Sequence, residues 1–281
     1  MIVGFDVGGT NARGLLIEPS TGEIVDRDRV SSAGEGPILL TKLVTMVKDL
    51  GERNGVGVEA VGLGVAGLAH RSGVIHYSPN LPDLVEYPLG TELSAELGVP
   101  VSVINDATAG AWAEAKFGAG RGSENFAFVA LGTGIGTGFV VDGRLILGAN
   151  GFAGESGHIQ VRADGPAHHT GQRGPWEYYA SGSALGRMGR EAAADGRFAA
   201  GIELAGSVDD IVGFTVADAV AAGNDDALAI LDAFGREVAL GAAGLVMIFD
   251  PERIVVGGGL TDIGEPLRAA VDRWLRELIL G

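Results

Sequence analysis

The sequence predicts an α/β fold made of two related halves with mixed sheets. Apolar runs of strand length alternate with longer amphipathic segments along the chain, an order typical of sheets that are covered by helices. A pattern of strand, glycine–threonine turn and strand occurs twice, around residues 5–10 and again around residues 130–136. Because such hairpins place neighbouring strands antiparallel, the sheets are expected to be mixed rather than purely parallel.

In the first half, the apolar pattern predicts strands at residues 2–7 and 14–17 around a Gly-Gly-Thr turn. Leu39, Leu43 and Leu50 recur at helical spacing, which predicts a helix over residues 38–50 with one apolar face. The other elements predicted for this half are a buried strand at 60–65, a short helix at 91–97, a strand at 101–104 and a helix at 106–117.

The second half begins with strands and continues mainly as helices. Its turn dipeptide Asp142-Gly143 is a strong hairpin signal, and the chain after about residue 176 is rich in alanine. The elements predicted for this half are strands at 126–131, 138–141, 145–147 and 253–256 and a final helix at 265–275.

The boundary between the halves is predicted near residue 107, which gives domains of residues 1–107 and 108–281 facing one cleft. No low-complexity linker marks this point. A hinge between the domains is therefore expected rather than a flexible tether.

The chain carries a formal net charge of −16, with a sequence pI near 4.6. No run rich in Lys or Arg is present, so a nucleic-acid partner is not expected. The same charge would repel a polyphosphate. A phosphate site would therefore depend on local donors such as backbone N–H groups, helix N-termini and a metal ion.

The sequence contains no cysteine, which excludes disulfides and thiolate zinc sites and agrees with a reducing cytoplasm. The chain opens on an apolar strand without a basic segment before it, so no signal peptide is expected. Its apolar stretches end well short of the ~20 residues that a membrane span requires. These features predict a cytoplasmic protein with no membrane partner.

The first motif that suggests chemistry is Asp6-Val7-Gly8-Gly9-Thr10-Asn11. Phosphate oxygens approach the backbone closely, so a loop that binds them needs exposed N–H groups and glycines without a Cβ. The Thr10 hydroxyl would add a donor, and Asp6 at the end of a strand could hold a metal ion through water. A glycine pair alone is more often a simple turn; the carboxylate and a second glycine loop favour a phosphate site.

The second loop is Gly132-Thr133-Gly134-Ile135-Gly136. It departs from the dinucleotide-binding fingerprint, because the third glycine of that motif is missing and a hairpin follows instead of a helix. The Gly-Lys pair of a P-loop is also missing. The two loops together predict a clamp of two hairpins around a polyphosphate.

Asn105-Asp106 stands where a predicted strand meets a predicted helix. An isolated aspartate in such a place most often caps the helix. The alternative is a general base that accepts the proton of an alcohol while other groups steady a transferring phosphoryl group. The carboxyl end of a strand is a typical place for such a residue in an α/β protein.

Glu155 and His158 in a Gly-Glu-Ser-Gly-His segment, and Glu177 after Trp176, are candidates for binding a sugar. Carboxylates and imidazoles bind vicinal hydroxyls, although such residues more often lie in solvated loops.

Further on, Gly257, Gly258 and Gly259 follow the last predicted strand. They could close over the sugar and base of a nucleotide, whereas alone they would mark only the end of a strand.

Taken in order, these segments resemble the ROK family, which is named for repressors, open reading frames and kinases, and within it the bacterial glucokinases. The resemblance extends from Ile2 to about Leu260. It implies two actin-like domains of the ribonuclease H type, with mixed sheets flanked by helices and a cleft that closes over a sugar and ATP–Mg²⁺. The implied activity is transfer of the γ-phosphate of ATP to a hexose, with glucose expected first.

The resemblance also implies a role for each candidate residue, with Asp106 as the catalytic base. The sugar would be bound by Asn80, Asn105, Asp106, Glu155, His158 and Glu177. The nucleotide and its phosphates would be bound by Asp6, Gly8, Gly9, Thr10, Asn11, Gly132, Thr133, Gly134, Gly257, Gly258 and Gly259.

One departure from the family concerns its structural zinc, which is usually held by the histidine of the GExGH segment and three cysteines in a CxCGxxGC pattern. Here the cysteine positions hold His168, Thr170 and Pro175. Two imidazoles, His158 and His168, do not complete a four-ligand site. The sequence therefore predicts no zinc, with Pro175 and the packing of Trp176 holding this segment instead.

Several alternatives remain open. A kinase for an N-acetylated hexosamine, mannose or fructose would share the same sugar-facing residues and differ in the shape of the pocket. A sugar-sensing regulator would require an N-terminal helix-turn-helix before the first phosphate strand, and a non-catalytic sugar-binding protein would not be expected to retain Asp106. The phosphoryl donor (ATP, ADP or polyphosphate) and the choice between a monomer and a homodimer are also open.

Overall fold

The structure is a computed structural model that describes residues 1–168 and 170–280. The chain folds into two compact units. The first contains Met1–Arg121 and Leu145–Gly154, and the second contains Gly122–Arg144 and the chain from Glu155 onward. The predicted boundary near residue 107 falls inside a helix that packs on the strands of the first unit, which is why this helix groups with that unit to its end.

The first unit is built on a five-stranded sheet and a separate pair of short strands. The strands of the unit are β1 (Ile2–Val7), β2 (Asn11–Ile17), β3 (Ile24–Ser31), β4 (Ala60–Val65), β5 (Leu68–Ala69), β6 (Ile75–Tyr77) and β7 (Val101–Asn105), and its helices are α1 (Gly36–Asn54), α2 (Leu89–Leu97) and α3 (Asp106–Phe117). The sheet has the order β3-β2-β1-β4-β7, while β5 and β6 form a separate pair. β1 and β3 run antiparallel to β2, whereas β1, β4 and β7 are parallel.

The core of this unit lies between the sheet and α1. Val3 and Val7 of β1 are fully buried, as are Leu39 and Leu43 of α1. Burial of each such side chain stabilises the fold by roughly 1.5–3 kcal/mol. The helix ends at Gly55, whose φ of +65° is the left-handed conformation that glycine adopts without strain.

The second unit combines a smaller sheet with most of the helices. Its strands are β8 (Phe126–Leu131), β9 (Ile135–Val141), β10 (Arg144–Leu145) and β11 (Arg253–Gly257), and its helices are α4 (Trp176–Ala180), α5 (Gly182–Ala194), α6 (Ala199–Ala205), α7 (Gly213–Ala221), α8 (Asp225–Phe249) and α9 (Glu265–Leu278), with 3-10 turns at Ser156–His158 and Gly259–Ile263. The sheet order is β10-β9-β8-β11. β8 is antiparallel to β9 and parallel to β11.

The two sheets share one arrangement. In each, two antiparallel strands flank a glycine turn, and the first of them pairs in parallel with a later strand, β4 in the first unit and β11 in the second. The mixed α/β fold class predicted from the sequence is confirmed. The repeated glycine hairpin was the feature that indicated it.

One strand of the first sheet was not predicted. β3 has the sequence IVDRDRVS, in which charged residues alternate with few apolar ones, and Ile24 is 45% exposed. It lies at the edge of the sheet, where charged side chains are common because one side of the strand faces solvent. The apolar pattern used to find buried strands therefore does not detect it.

The longest helix of the second unit is α8, with 25 residues. Phe234, Val238 and Ala242 along it are buried, while the charged pair Arg236-Glu237 interrupts its apolar sequence. In residues 1–168 and 170–280, no helix is both long enough and apolar enough to cross a bilayer.

Candidate active site

Three parallel strands of the first unit end at one edge of the sheet. Val7 at the end of β1 pairs with Val65 of β4, which in turn pairs with Asn105 of β7. Because the carboxyl ends of parallel strands meet at the same edge, the segments that follow them lie together. This edge therefore carries the first glycine loop, after β1, and Asp106, after β7.

The first glycine loop is held by a buried serine. Gly8 N–H donates to Asn11 O at 3.0 Å and closes the turn. Ser32, which is fully buried, donates from Oγ to Gly8 O at 2.6 Å and from N–H to Thr10 O at 3.1 Å. Gly9 and Thr10 at the tip remain exposed. Sequence reasoning missed Ser32, because a lone serine gives no signal until β3 is known to lie beside the loop.

Asn80, a predicted sugar ligand, lies against the tip of this loop. A Cβ built on Gly9 would come within 2.8 Å of Asn80 O and 2.9 Å of Asn80 Cβ, so a larger residue would force a shift. Two residues earlier, Ser78 Oγ donates to Ala66 O at 2.6 Å, just after β4. The segment that carries Asn80 is thus anchored to the same edge of the sheet.

Asn105, and not Asp106, caps α3. Its Oδ1 accepts from Thr108 N–H at 3.1 Å, and its Nδ2 donates to Gly67 O at 3.1 Å. Asp106 is the first residue of the helix, and its Oδ1 accepts from Ala107 N–H at 2.8 Å. Asp106 is therefore not the residue that caps the helix. The side-chain amide of Asn105 caps α3 and also binds the backbone carbonyl of Gly67.

The carboxyl group of Asp106 is accessible to solvent, yet the protein around it removes part of its hydration. This desolvation raises the pKa of Asp106 above its ordinary value of 3.8, and the negative charge of Asp6 acts in the same direction. Gly64 pairs with Asp6 in the sheet, and a Cβ there would lie 3.4 Å from Asp106 Cα. A raised pKa makes Asp106 a stronger proton acceptor than an ordinary carboxylate.

The second glycine loop is also closed by a backbone hydrogen bond, but it is one residue shorter than the first. Gly132 N–H donates to Gly134 O at 3.0 Å, whereas Gly8 N–H donates to Asn11 O in the first unit. Gly182 N–H at the start of α5 donates to Gly132 O at 2.7 Å, and Ser183 Oγ donates to Thr133 O at 2.9 Å. The loop is therefore fixed to the N-terminus of α5, a contact that sequence reasoning did not predict.

The three predicted nucleotide glycines at the end of β11 lie beside this second loop. Gly258 has a φ of +87°, and a Cβ there would lie 2.5 Å from the carbonyl oxygen of Leu131, the last residue of β8. Thr261 Oγ1 donates to Gly258 O at 2.7 Å and fixes the turn. Gly257 ends β11, opposite Ala130 of β8. The structure thus brings Gly257–Gly259 next to the loop of residues 132–134.

The predicted sugar residues of the second unit gather around Ile135, the first residue of β9. Ile135 N–H donates to Glu177 Oε2 at 2.7 Å. A Cβ built on Gly157 would lie 2.6 Å from Ile135 O, so the turn that carries His158 packs on the same residue. Glu155 Oε2 lies 3.8 Å from His158 Nε2. His158 Nδ1 is buried without a hydrogen-bond partner.

The residues at the family's zinc positions do not fit that metal. His168 Nε2 lies 3.4 Å from Glu177 Oε1, and His168 Nδ1 lies 2.9 Å from Thr170 Oγ1. The ring centroids of His158 and His168 are 6.4 Å apart, and Pro175 offers no side-chain ligand. Over the described ranges 1–168 and 170–280, no three His, Cys, Asp or Glu side chains form a group suited to a metal ion. A closed structural zinc site needs four ligands.

Contacts within the protein hold this segment. Arg162 donates to Glu237 Oε1 of α8 at 2.7 Å, and its guanidinium lies 4.0 Å from the centroid of the Tyr179 ring. Trp176 is 1% exposed, and its Nε1 donates to Glu237 O at 3.0 Å. A Cβ on Gly241 of α8 would overlap the Trp176 indole, so glycine makes room for the ring.

We expect removal of metal to leave this segment unchanged. After dialysis against EDTA, metal analysis should find far less than one zinc per chain, and the Tm should not fall. A structural zinc contributes on the order of 10 kcal/mol of apparent binding energy, so its loss would be visible as a large drop in Tm. Arg162→Ala, by contrast, should lower the Tm because Glu237 loses its ion pair. About one zinc per chain after EDTA would refute this account.

Two related sheets, each with a glycine turn after its first strand, define an α/β chain of the actin-like class. The model of the ROK family matches residues 2–280. The chain therefore belongs to the ROK family.

Similar proteins cover almost the whole chain. The glucokinase of Streptomyces coelicolor is 35% identical over 98% of this chain and 88% of its own length. The glucokinase of Thermotoga maritima is 34% identical over 100% of this chain and 90% of its own. The crystal structure of a ROK family glucokinase from Streptomyces griseus in complex with glucose and AMPPNP matches with a TM-score of 0.85 and 34% identity, covering 100% of this chain and 90% of that one.

Proposed function

We propose that this chain is an ATP-dependent hexose kinase that transfers the γ-phosphate of ATP to glucose and forms glucose 6-phosphate. Full-length similarity to glucokinases and to a structure that holds glucose and AMPPNP supports this function. Within the chain, the proposal depends on one observation. Asp106 follows β7 at the sheet edge that also carries the first glycine loop, with an accessible carboxylate and a raised pKa, while Asn105 caps the helix.

In the proposed reaction, the Asp106 carboxylate accepts the proton of the sugar hydroxyl while the hydroxyl oxygen attacks the γ-phosphorus. The bond between the γ-phosphorus and its bridging oxygen to the β-phosphate breaks, so that ADP leaves, and the proton later passes from Asp106 to solvent. Phosphoryl transfer of this kind depends mainly on positioning and electrostatic stabilisation, with a base that accepts one proton.

Each unit carries candidate sugar-binding residues. In the first unit, Asn80 lies against Gly9 of the first glycine loop, and Asn105 directly precedes Asp106. In the second unit, Glu155, His158 and Glu177 lie around Ile135. The carboxylate of Glu177 is already oriented, since Ile135 N–H bonds Oε2 and the His168 imidazole lies beside Oε1. Oriented carboxylates lose little conformational entropy when they bind hydroxyls.

Each glycine loop offers backbone N–H groups that would bind phosphate oxygens of ATP. The net charge of −16 makes these local donors necessary, because the average field of the protein repels a polyphosphate. Mg²⁺ arriving with ATP would neutralise part of the phosphate charge. Asp6, whose side chain is exposed and 4.0 Å from Arg13, would hold this ion through water.

A kinase assay with several sugars and donors tests the proposal. Glucose, mannose, fructose and N-acetylated hexosamines would be combined with ATP, ADP and inorganic polyphosphate, and product formation followed by phosphorus NMR. We expect the highest kcat/KM with glucose and ATP. A higher value for another hexose would replace glucose as the substrate and keep the kinase. Glucose binding without turnover with any donor would refute the kinase and favour a sugar-sensing protein.

A further inference from the structure

Close backbone contacts connect the second glycine loop with the start of α7. Gly182 N–H donates to Gly132 O at 2.7 Å. A Cβ built on Gly213 would lie 2.7 Å from Gly182 O, and one built on Gly186 would lie 2.9 Å from Gly213 N. The backbones touch because these positions lack side chains, so the start of α7 is held at a fixed place relative to the loop.

Two large apolar side chains flank Gly213 and remain exposed. Val212 is 51% exposed and Phe214 is 62% exposed, whereas Thr215 and Val216, which follow directly, are buried. α7 is thus well packed, and the exposure of Phe214 is not a consequence of a loose helix. Val212 and Phe214 together form a small exposed apolar patch, and contiguous apolar patches are the surface feature that marks ligand-binding grooves.

The ring of Phe214 borders the three glycines at the end of β11. A Cβ built on Gly259 would have Phe214 Cζ, at 3.9 Å, as its one neighbour within 4 Å in the described chain. Gly258 contacts Leu131, the residue just before the loop of residues 132–134. Gly259 therefore lies beside the exposed ring, and its neighbour Gly258 lies against the residue that precedes the proposed phosphate loop, all within the second unit.

We propose that Phe214, together with Val212, is the platform on which the base of the donor nucleotide lies. The inference rests on the proposed kinase function and names the residues that would distinguish a nucleotide from other phosphoryl donors. Every nucleobase has a flat π-face that stacks on an aromatic ring, and glycines allow a ribose to approach the backbone. Inorganic polyphosphate has no base, so stacking on this ring would not increase its binding affinity. Phe214 therefore favours a nucleotide over polyphosphate as the donor.

The test compares a ligand that has a base with one that does not. Binding of AMPPNP and of inorganic tripolyphosphate would be measured by calorimetry with the full chain and with Phe214→Ala. The Kd for AMPPNP should rise about tenfold or more, because stacking on an aromatic ring contributes on that order for one base. The Kd for tripolyphosphate and the KM for glucose should change less than about twofold. Phe214→Trp should retain the affinity for AMPPNP.

Phe117→Ala is the matched control, since Phe117 is similarly exposed, at 66%, but belongs to the first unit. It should change neither Kd. If Phe214→Ala weakened AMPPNP and tripolyphosphate binding equally, or weakened neither, the proposed stacking of the base on Phe214 would be refuted. If the unmodified chain bound AMPPNP but phosphorylated no sugar, and Phe214→Ala weakened AMPPNP binding alone, the kinase proposal would fail and the role of Phe214 in binding the base would stand. If the unmodified chain phosphorylated glucose and Phe214→Ala left the KM for ATP unchanged, the kinase proposal would stand and the role of Phe214 in binding the base would fail.

Discussion

Asp106→Asn should lower kcat for glucose phosphorylation by at least ~10²-fold, the usual cost of losing a general base, while the KM for ATP changes little. Asparagine has the same shape but cannot accept the hydroxyl proton. Because Asn105 caps α3, the helix should form normally in the variant. Steady-state kinetics with both substrates varied would measure the effect.

Two further results make this test specific. Asp49→Asn, at an exposed aspartate of α1, should have the kcat of the unmodified chain. Near-normal turnover of Asp106→Asn would remove Asp106 from the role of base.

The same substitution should also raise the Tm near neutral pH. The pKa of Asp106 is raised in the folded chain, so its ionised form destabilises the folded state at every pH above that folded pKa. Asparagine carries no charge and removes this destabilisation. As the pH falls below the ordinary value of 3.8, the carboxyl is protonated in both states and the two Tm values should converge. An Asp106→Asn chain that lost both activity and stability at neutral pH would point to a structural role instead.

Gly134→Ala should lower kcat/KM for both glucose and ATP, by at least ~10²-fold, since small displacements of catalytic groups have effects of this size. A Cβ at Gly134 would overlap the carboxylate of Glu177. Glu177 would then have to leave Ile135 N–H and the imidazole of His168. One methyl group would thus disturb the proposed phosphate loop and the proposed sugar carboxylate together.

Gly132→Ala is the control within the same loop. The nearest heavy atom to a Cβ at Gly132 is Gly134 O, at 4.0 Å, so the folded chain accommodates it and the Tm should stay close to that of the unmodified protein. The KM for ATP should rise, because the methyl group would take space proposed for a phosphate, while the KM for glucose should not. Gly134→Ala with normal kinetics and a normal Tm would show that the loop and Glu177 are not coupled as described.

The sequence predicted the elements whose pattern is local. β1, β4 and β8 were predicted with the bounds that the structure has, because each is a continuous apolar run before a turn or a polar residue. β3 was missed because its charged edge sequence carries little apolar pattern. β9 begins at Ile135 rather than 138, since the strand continues through glycines that strand propensity disfavours.

The candidate site was predicted in its residues but not in its supports. Asp106 could be either a cap or a base, and the choice depends on Asn105, whose side chain bonds both α3 and Gly67. Ser32 and the start of α5 were missed because their contacts join positions far apart in the chain. Hydrogen bonds of this kind depend on how strands are ordered in a sheet, which hydropathy and motif spacing do not determine.

The most direct test of the account is a crystal structure of the chain with glucose and AMPPNP bound. The account predicts that an Asp106 carboxylate oxygen lies within about 2.6–3.2 Å of the sugar hydroxyl nearest the γ-phosphate, the distance a general base requires. An Asp106 side chain that bonds only to the backbone of α3, with every sugar oxygen out of hydrogen-bond reach, would contradict it.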